Sequence, residues 1–262
     1  MIGTLRLTLA LLLAGAATPP LVAWQALAVR TRLVDDRRVP RLWHGMVRRL
    51  LGLRVHVHGR LADERPLLIA ANHISWTDIV VLGSLAEVHF VAKSEMAGWP
   101  VMGTLARLQR TIFVERERRR RAGAQAGEIA GRLANGDPVV LFAEGTTGDG
   151  NLVLPVKSTL FAAAQMALVE NGGTVTIQPV AIAYTRLHGL PMGRQHRPHA
   201  AWTGDRTLVP HIRDLLREGA LDIEVHFGEP VAVGPGADRK KVAREVEARV
   251  RAMMTAALRR PL

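Results

Sequence analysis

Short apolar runs alternate with helix-like segments from residue 53 onward, which predicts an α/β fold: a layered mixed sheet flanked by helices. Hydrophobic residues make up 48% of the 262-residue chain, enough for a sizeable core. Ahead of the alternation lies an apolar stretch, Leu7 to Val29, whose only polar side chains are Thr8, Thr18 and Gln25. These features divide the chain into an N-terminal membrane-anchoring helical hairpin, residues 1–34, and an α/β domain, residues 35–262.

The apolar stretch is long enough to cross a bilayer. Pro19-Pro20 interrupts it, so two short helices with a kink are expected. Arg30, Arg32, Arg37, Arg38, Arg41, Arg48 and Arg49 follow, which the positive-inside tendency places at a cytoplasmic, anionic lipid surface. Two other readings compete. A secretory signal peptide would be cleaved at Ala14-Gly15-Ala16, but its positive region is Arg6 alone; a soluble pair of core helices is the third.

Residues 39–51 read as a helix with a basic face. Leu53 to His58 alternates with period two, as a half-buried strand does, and Leu67 to Ala71 is a fully apolar strand. A helix over 78–85 and strands over 88–92 and 111–115 follow. The helix 116–134 stops at Asn135-Gly136-Asp137-Pro138. Then come a strand over 139–143, a helix over 157–170, and a strand over 175–183 whose Pro179 predicts an edge or a bulge. A strand over 221–227 and an amphipathic helix over 237–258 complete the pattern. Residues 186–206, rich in Gly, Pro, His and Arg, resist assignment and read as an excursion near the active face.

The net charge of +12 implies an anionic partner: nucleic acid, an anionic membrane surface or an acidic protein. An aromatic fraction of 4%, with one Tyr, argues against single-stranded nucleic acid, which needs stacking platforms. The absence of Cys excludes disulfides, thiolate metal sites and a Cys nucleophile. No metal, cofactor or nucleic acid is expected.

In α/β folds the active site gathers at the carboxyl ends of strands. Three strand ends here carry unusual polar residues: Asn72-His73, Glu115-Arg116, and Glu144 to Gly150. His73 can accept a proton near neutral pH, and Asp78 could orient its ring. Equally, His73 could bond a backbone carbonyl, and Asp78 could close a helix capping box begun by Ser75. No G-x-S-x-G elbow is present, so the nucleophile would be the substrate's own hydroxyl. Arg116 could grip a phosphate or carboxylate, or belong with Arg118 to Arg121 to a solvated basic face. Glu144 could bind a substrate hydroxyl or close a turn, while Gly145 could let amides approach an oxyanion. Lys157 could anchor an anionic group or be a surface lysine. Asp149-Gly150-Asn151 lacks the pattern of a calcium loop.

In this order the pieces resemble the glycerolipid acyltransferase family, whose best-known members are 1-acylglycerol-3-phosphate acyltransferases. Its four blocks have counterparts in Asn72 to Asp78 (N-H-x-x-x-x-D), Thr111 to Arg116, Phe142 to Thr147 (usually F-P-E-G-T-R) and Ile177 to Val180. The resemblance implies that His73 is the general base and Asp78 its partner. It also implies an acceptor site built from Asn72, Arg116, Glu144, Gly145, Thr146, Thr147 and Lys157, and a domain over 35–262 devoted to acyl transfer. Ala143 replaces the family's Pro, and Thr147 replaces the Arg that helps hold an acceptor phosphate. Losing that guanidinium removes a bond of roughly 1.5–3 kcal/mol, so another cation compensates or the acceptor lacks a phosphate. The run EGTTGDGN, followed by LPVKSTLF, is similar to bacterial lyso-ornithine lipid acyltransferases, whose acceptor has an amino-acid head group. The expectation is a membrane-associated lysolipid O-acyltransferase on the cytoplasmic face of the inner membrane. Its donor would be acyl-carrier protein or acyl-CoA, and its acceptor lyso-ornithine lipid or 1-acylglycerol-3-phosphate, with the lean to the former. The competing expectation is a non-enzymatic basic membrane-binding module.

Overall fold

The computed structural model describes residues 2–31, 35–115, 122–171, 173–204 and 206–259. The apolar amino-terminal stretch is one helix, α1 (Ile2–Thr31), with Pro19 and Pro20 inside it, rather than two short helices. A proline pair deletes two N–H donors, but its fixed φ is a helical one, so bonds are lost without forcing a turn. The helical pair at this end is α1 packed on α2 (Arg38–Leu51). Next to the prolines, the Trp43 indole of α2 donates to Thr18 Oγ1 at 3.1 Å. Gln25, also on α1, is buried and donates to the carbonyls of Asp36 and Leu108.

Arg6 fixes the other end of α1. Its guanidinium donates to the carbonyl of Glu218 at 2.7 Å and reaches that of Leu50 at 3.5 Å, near the carboxyl ends of two helices, where a cation is favoured. Gly52 and Gly219 follow those helices, both with positive φ, and a Cβ on either would overlap the arginine. The Arg6 guanidinium and the Gln25 carboxamide nitrogen are thus occupied, while Leu5, Leu9, Leu11, Leu12, Trp24 and Leu27 are exposed. Among the described helices, α1 is the one long and apolar enough to cross a membrane.

Beyond α2 the order is β1 (Leu53–His58), β2 (Leu67–Ala71), α3 (Thr77–Leu85), β3 (His89–Lys93), α4 (Met102–Leu108), β4 (Ile112–Val114), α5 (Ala122–Ala134), β5 (Val139–Phe142) and α6 (Ala162–Asn171). Then follow β6 (Val175–Leu187), β7 (Leu190–Pro191), α7 (Leu208–Glu218), β8 (Leu221–Phe227), β9 (Val231–Val233) and α8 (Arg239–Arg259). One mixed sheet runs β1-β8-β6-β2-β5-β3-β4, with β7 and β9 also paired to β6. Strands β6, β2, β5, β3 and β4 are mutually parallel, whereas β8 runs antiparallel to β6 and carries β1 parallel beside it. The apolar runs of β2 and β5 are buried throughout, as expected of parallel strands covered on both faces. α8 lies along β6 through Val242, Val246, Val250 and Met254, a buried face at near-helical spacing.

The expectation for Pro179 needs correcting. β6 is central, and Pro179 pairs in register with Ala70 of β2. It is tolerated because the opposite neighbour changes there: β9 pairs with residues 175–177 and β8 with residues 180–187. The missing N–H falls in that gap, while the Pro179 carbonyl accepts from Gly228 N at 2.9 Å. The strand and helix pattern does not reveal α4 or α7. For α7 the signal exists, since Leu208, Ile212, Leu215 and Leu216 recur at helical spacing.

The docking of Arg6 yields a prediction. Arg6→Ala should lower stability in detergent by about 1–3 kcal/mol and expose α1 to limited proteolysis before the rest of the chain. A wild-type melting curve and cleavage pattern would show that the Arg6 contacts do not hold α1.

Candidate active site

β2 delivers Asn72 and His73 to the carboxyl edge of the sheet. The adjacent β5 delivers Glu144 to the same level, because Ala71 pairs with Phe142 in register. The chain turns at once into α3, and Asp78 in its first turn faces back toward the strand end. Asp78 is fully buried. Its Oδ2 accepts from His73 Nδ1 at 2.8 Å, from Ile74 N at 2.7 Å and from Ser75 N at 2.9 Å. One carboxylate therefore caps the helix start and orients the imidazole. The ring also stacks on Phe142, with centroids 3.8 Å apart and planes 13° apart. With Nδ1–H donating to Asp78, Nε2 is left as the basic nitrogen, and the His73 side chain retains 16% exposure.

Glu144 is 2% exposed, and both of its oxygens are bonded. Oε2 accepts from His73 N at 3.0 Å and Oε1 from Leu154 N at 2.8 Å. Burial pushes its carboxyl up from 4.5 to about 7; the two amide bonds oppose the rise, the charge of Asp78 adds to it, and Arg251 opposes it. Asn72 is buried too, and its carboxamide pairs with Ile182 of β6 in both directions, at 2.9 and 2.8 Å. These two residues clamp the strand end that carries His73.

The loop after Glu144 wraps this centre. Gly148 N donates to the His73 carbonyl at 2.8 Å. Gly145 adopts φ +72°, its N–H donates to the Phe142 carbonyl, and a Cβ there would lie 3.1 Å from Lys157 Nζ. Thr146 and Lys157 are exposed. Neither the Thr146 nor the Thr147 N–H has a protein acceptor among the described residues. Thr147 Oγ1 donates to the Trp202 carbonyl at 2.7 Å, and Trp202 N donates to the Ile74 carbonyl at 2.9 Å. The unassigned segment 186–206 is thus seated on the candidate site. Arg116 lies outside the described residues.

Two contributors escape the sequence reading. Tyr184, the single tyrosine, is buried on β6 and donates to Asp78 Oδ1 at 2.8 Å. Burial foremost, then the Asp78 charge, pushes its phenol well above the ordinary value, so it stays a neutral donor. His211 of α7 accepts from the Trp76 indole at 3.0 Å and ties that helix to the first motif. No spacing rule points to either residue. Elsewhere, His58, Glu224 and His226 lie close enough to share an ion. However, the two imidazoles stack face to face, centroids 4.2 Å and planes 11° apart, so an ion close to both would lie well out of at least one ring plane, against the in-plane lone pair that ligation uses.

The Acyltransferase family profile matches residues 53–183, half of the chain and all four motifs. The chain belongs to the acyltransferase family. Two relatives share its whole span. It is 51% identical over 259 residues to the lyso-ornithine lipid O-acyltransferase of Brucella abortus (strain 2308), covering 98% of this chain and 97% of that one. It is 50% identical over 260 residues to the protein of the same name from Rhizobium meliloti (strain 1021), covering 99% and 89%. The fold is that of the 1-acyl-sn-glycerophosphate (LPA) acyltransferase PlsC from Thermotoga maritima, with a TM-score of 0.65 and 23% identity over 99% of both chains. This acyltransferase is therefore an enzyme, which sets aside the reading as a purely membrane-binding module.

The shifted carboxyl of Glu144 makes folding of the acyltransferase depend on pH. The folded state holds this proton up to about pH 7 and the unfolded state only to about 4.5, so stability falls as pH rises between those values and is level above them. The full loss is about 3 kcal/mol. Glu144→Gln should remove that component, so that wild-type and variant urea-unfolding energies converge or cross between pH 5 and 8. Parallel curves would contradict the assignment.

Proposed function

We propose that this acyltransferase moves a fatty acyl group from a thioester, carried by acyl-carrier protein or coenzyme A, to the free hydroxyl of a lysolipid. The observation that carries the mechanism is the 2.8 Å bond between His73 Nδ1 and the buried Asp78 carboxylate, which leaves Nε2 as the base. His73 Nε2 takes the hydroxyl proton, and the oxygen attacks the thioester carbonyl. The tetrahedral intermediate then collapses, and the imidazolium returns the proton to the departing thiolate. Asp78 stabilises the imidazolium between those events. The Thr146 and Thr147 amides are the oxyanion donors, in place of Gly145, whose N–H is occupied. Asn72 and Glu144 hold the strand end, while Thr146, Thr147, Lys157 and Arg116 belong to the acceptor side.

Lyso-ornithine lipid is the acceptor. Relatives of that name match this chain at about half identity from end to end, and Thr147 removes a guanidinium that a phosphate would use. The enzyme works at the cytoplasmic membrane surface. The exposed apolar face of α1 supports this, together with the exposed Arg38, Arg41 and Arg49 of α2 beside it.

His73→Ala should abolish lysolipid-dependent thiol release from acyl-CoA or acyl-carrier protein, and full activity in that variant would sink the mechanism. Tyr184→Phe should keep the fold and lose about tenfold in kcat, the worth of one hydrogen bond of about 1–1.5 kcal/mol to the ion that orients the base. An unchanged kcat would show that Tyr184 acts in packing alone.

A further inference from the structure

The loop beyond Thr147 carries a charged array that the steps above do not use. Asn151 sits at its centre. Its carboxamide nitrogen donates to Asp149 Oδ2 at 2.9 Å and to the Arg194 carbonyl at 3.1 Å, and its backbone N–H donates to Asp149 Oδ1 at 2.9 Å. Its carboxamide oxygen accepts from Arg197 Nη1 at 2.9 Å. One amide thus bridges an acid and a guanidinium.

The array adjoins the catalytic centre. Gly150, between Asp149 and Asn151, packs where a Cβ would lie 3.4 Å from Ile74 Cγ2 and 3.7 Å from Arg197 Cβ. Gly148, one residue earlier, bonds the His73 carbonyl. Arg197 is 9% exposed, and its Nε is buried with no hydrogen-bond partner among the described residues. A buried guanidinium edge without an acceptor is costly unless a ligand supplies one, and a carboxylate fits such an edge in two-pronged fashion. Asp149 is exposed. Partial burial works against its ionisation, but the hydrogen bonds from Asn151, together with those from its own amide and that of Leu152, outweigh it and hold its carboxyl below the ordinary value.

We propose that Asp149, Asn151 and Arg197 form the acceptor head-group subsite and select a zwitterionic, amino-acid head group. Arg197 takes the head group's carboxylate and Asp149 its ammonium, with Asn151 setting the separation. A phosphate monoester has no cation to offer Asp149, and its negative charge meets that carboxylate. The same array therefore favours one acceptor and disfavours the other. A lone guanidinium where Thr147 stands would serve a phosphate, whereas an acid and a base bridged by one amide serve a ligand bearing both charges.

This inference rests on the acyl-transfer reading and refines its acceptor. The test offers lyso-ornithine lipid and lysophosphatidic acid to the full-length enzyme in mixed micelles, with acyl-CoA or acyl-carrier protein as donor. Wild type should prefer lyso-ornithine lipid. Asp149→Asn keeps one oxygen for the Asn151 backbone N–H and gives up the second bond, to the Asn151 carboxamide; on an exposed residue it should still fold. It should raise KM for lyso-ornithine lipid about tenfold or more, with a smaller change in kcat, and narrow the preference over lysophosphatidic acid. Arg197→Lys should move KM in the same direction. If wild type acylates lyso-ornithine lipid but both variants keep its KM and its preference, the subsite is wrong and the proposed function stands. If wild type acylates only lysophosphatidic acid, the acceptor reading falls, and this subsite with it.

Discussion

The carboxylate of Asp78 is the constraint on which the active end of this fold depends. It is wholly buried, and a bare carboxylate in that position would cost several kcal/mol. Four donors make it tolerable: His73 Nδ1, Ile74 N, Ser75 N and the Tyr184 hydroxyl. Two of these are amides of the turn from β2 into α3, so the turn takes the shape that solvates the acid. The helix start, the strand end and the imidazole then share one reference atom, Oδ2. A cap and a catalytic orienter are often treated as alternatives for an Asp at this spacing. Here each function supplies donors that the other requires, because neither set alone would satisfy the buried charge.

Glu144 adds a second constraint of the same kind. It reaches across from β5 to the amide of His73 and to the amide of Leu154, joining the strand end to the loop that wraps it. The two acids oppose each other electrostatically, which is part of why the Glu144 carboxyl is shifted upward. Their division of labour follows from their donors. Asp78 is bonded to the imidazole and bears on its orientation and charge, whereas Glu144 contacts amides only and bears on backbone position.

The parts of this arrangement visible in the sequence are those carried by short-range periodicity. β1, β2 and β8 fall on their expected residues because apolar alternation or continuity over a few positions decides a strand, and His73 with Asp78 are separated by one turn of chain. What was hidden depends on pairing between distant segments. Pro179 looks like an edge residue until β8 and β9 are seen to exchange places beside it. α1 runs on through Pro19-Pro20 while Thr18, Gln25 and Arg6 along it bond to Trp43, Leu108 and Glu218 on other helices, contacts that no local pattern shows. Tyr184 is separated from Asp78 by 106 positions, and no local rule can link them. Arg6, read locally, is the thin charge of a leader segment; in the fold it binds two helix ends.

The consequence for the proposed function is a separation between chemistry and choice. His73 sits among the buried and hydrogen-bonded Asn72, Asp78 and Glu144, at the end of a strand in the parallel part of the sheet. Little sequence change there is compatible with a satisfied Asp78. In the proposed function the head group instead meets a loop, residues 146–151, and the segment 194–202 that leans on it; these include exposed positions such as Thr146, Asp149 and Arg194 and reach the His73 turn through the backbone bonds of Gly148 to His73 and Trp202 to Ile74. Side chains on such segments can change without disturbing Asp78, so one acyl-transfer centre can serve acceptors of different charge. The replacement of a family Arg by Thr147, whose hydroxyl is spent on Trp202, is a change of this type: it removes a charge from the acceptor side while adding a bond that holds the neighbouring segment against the site.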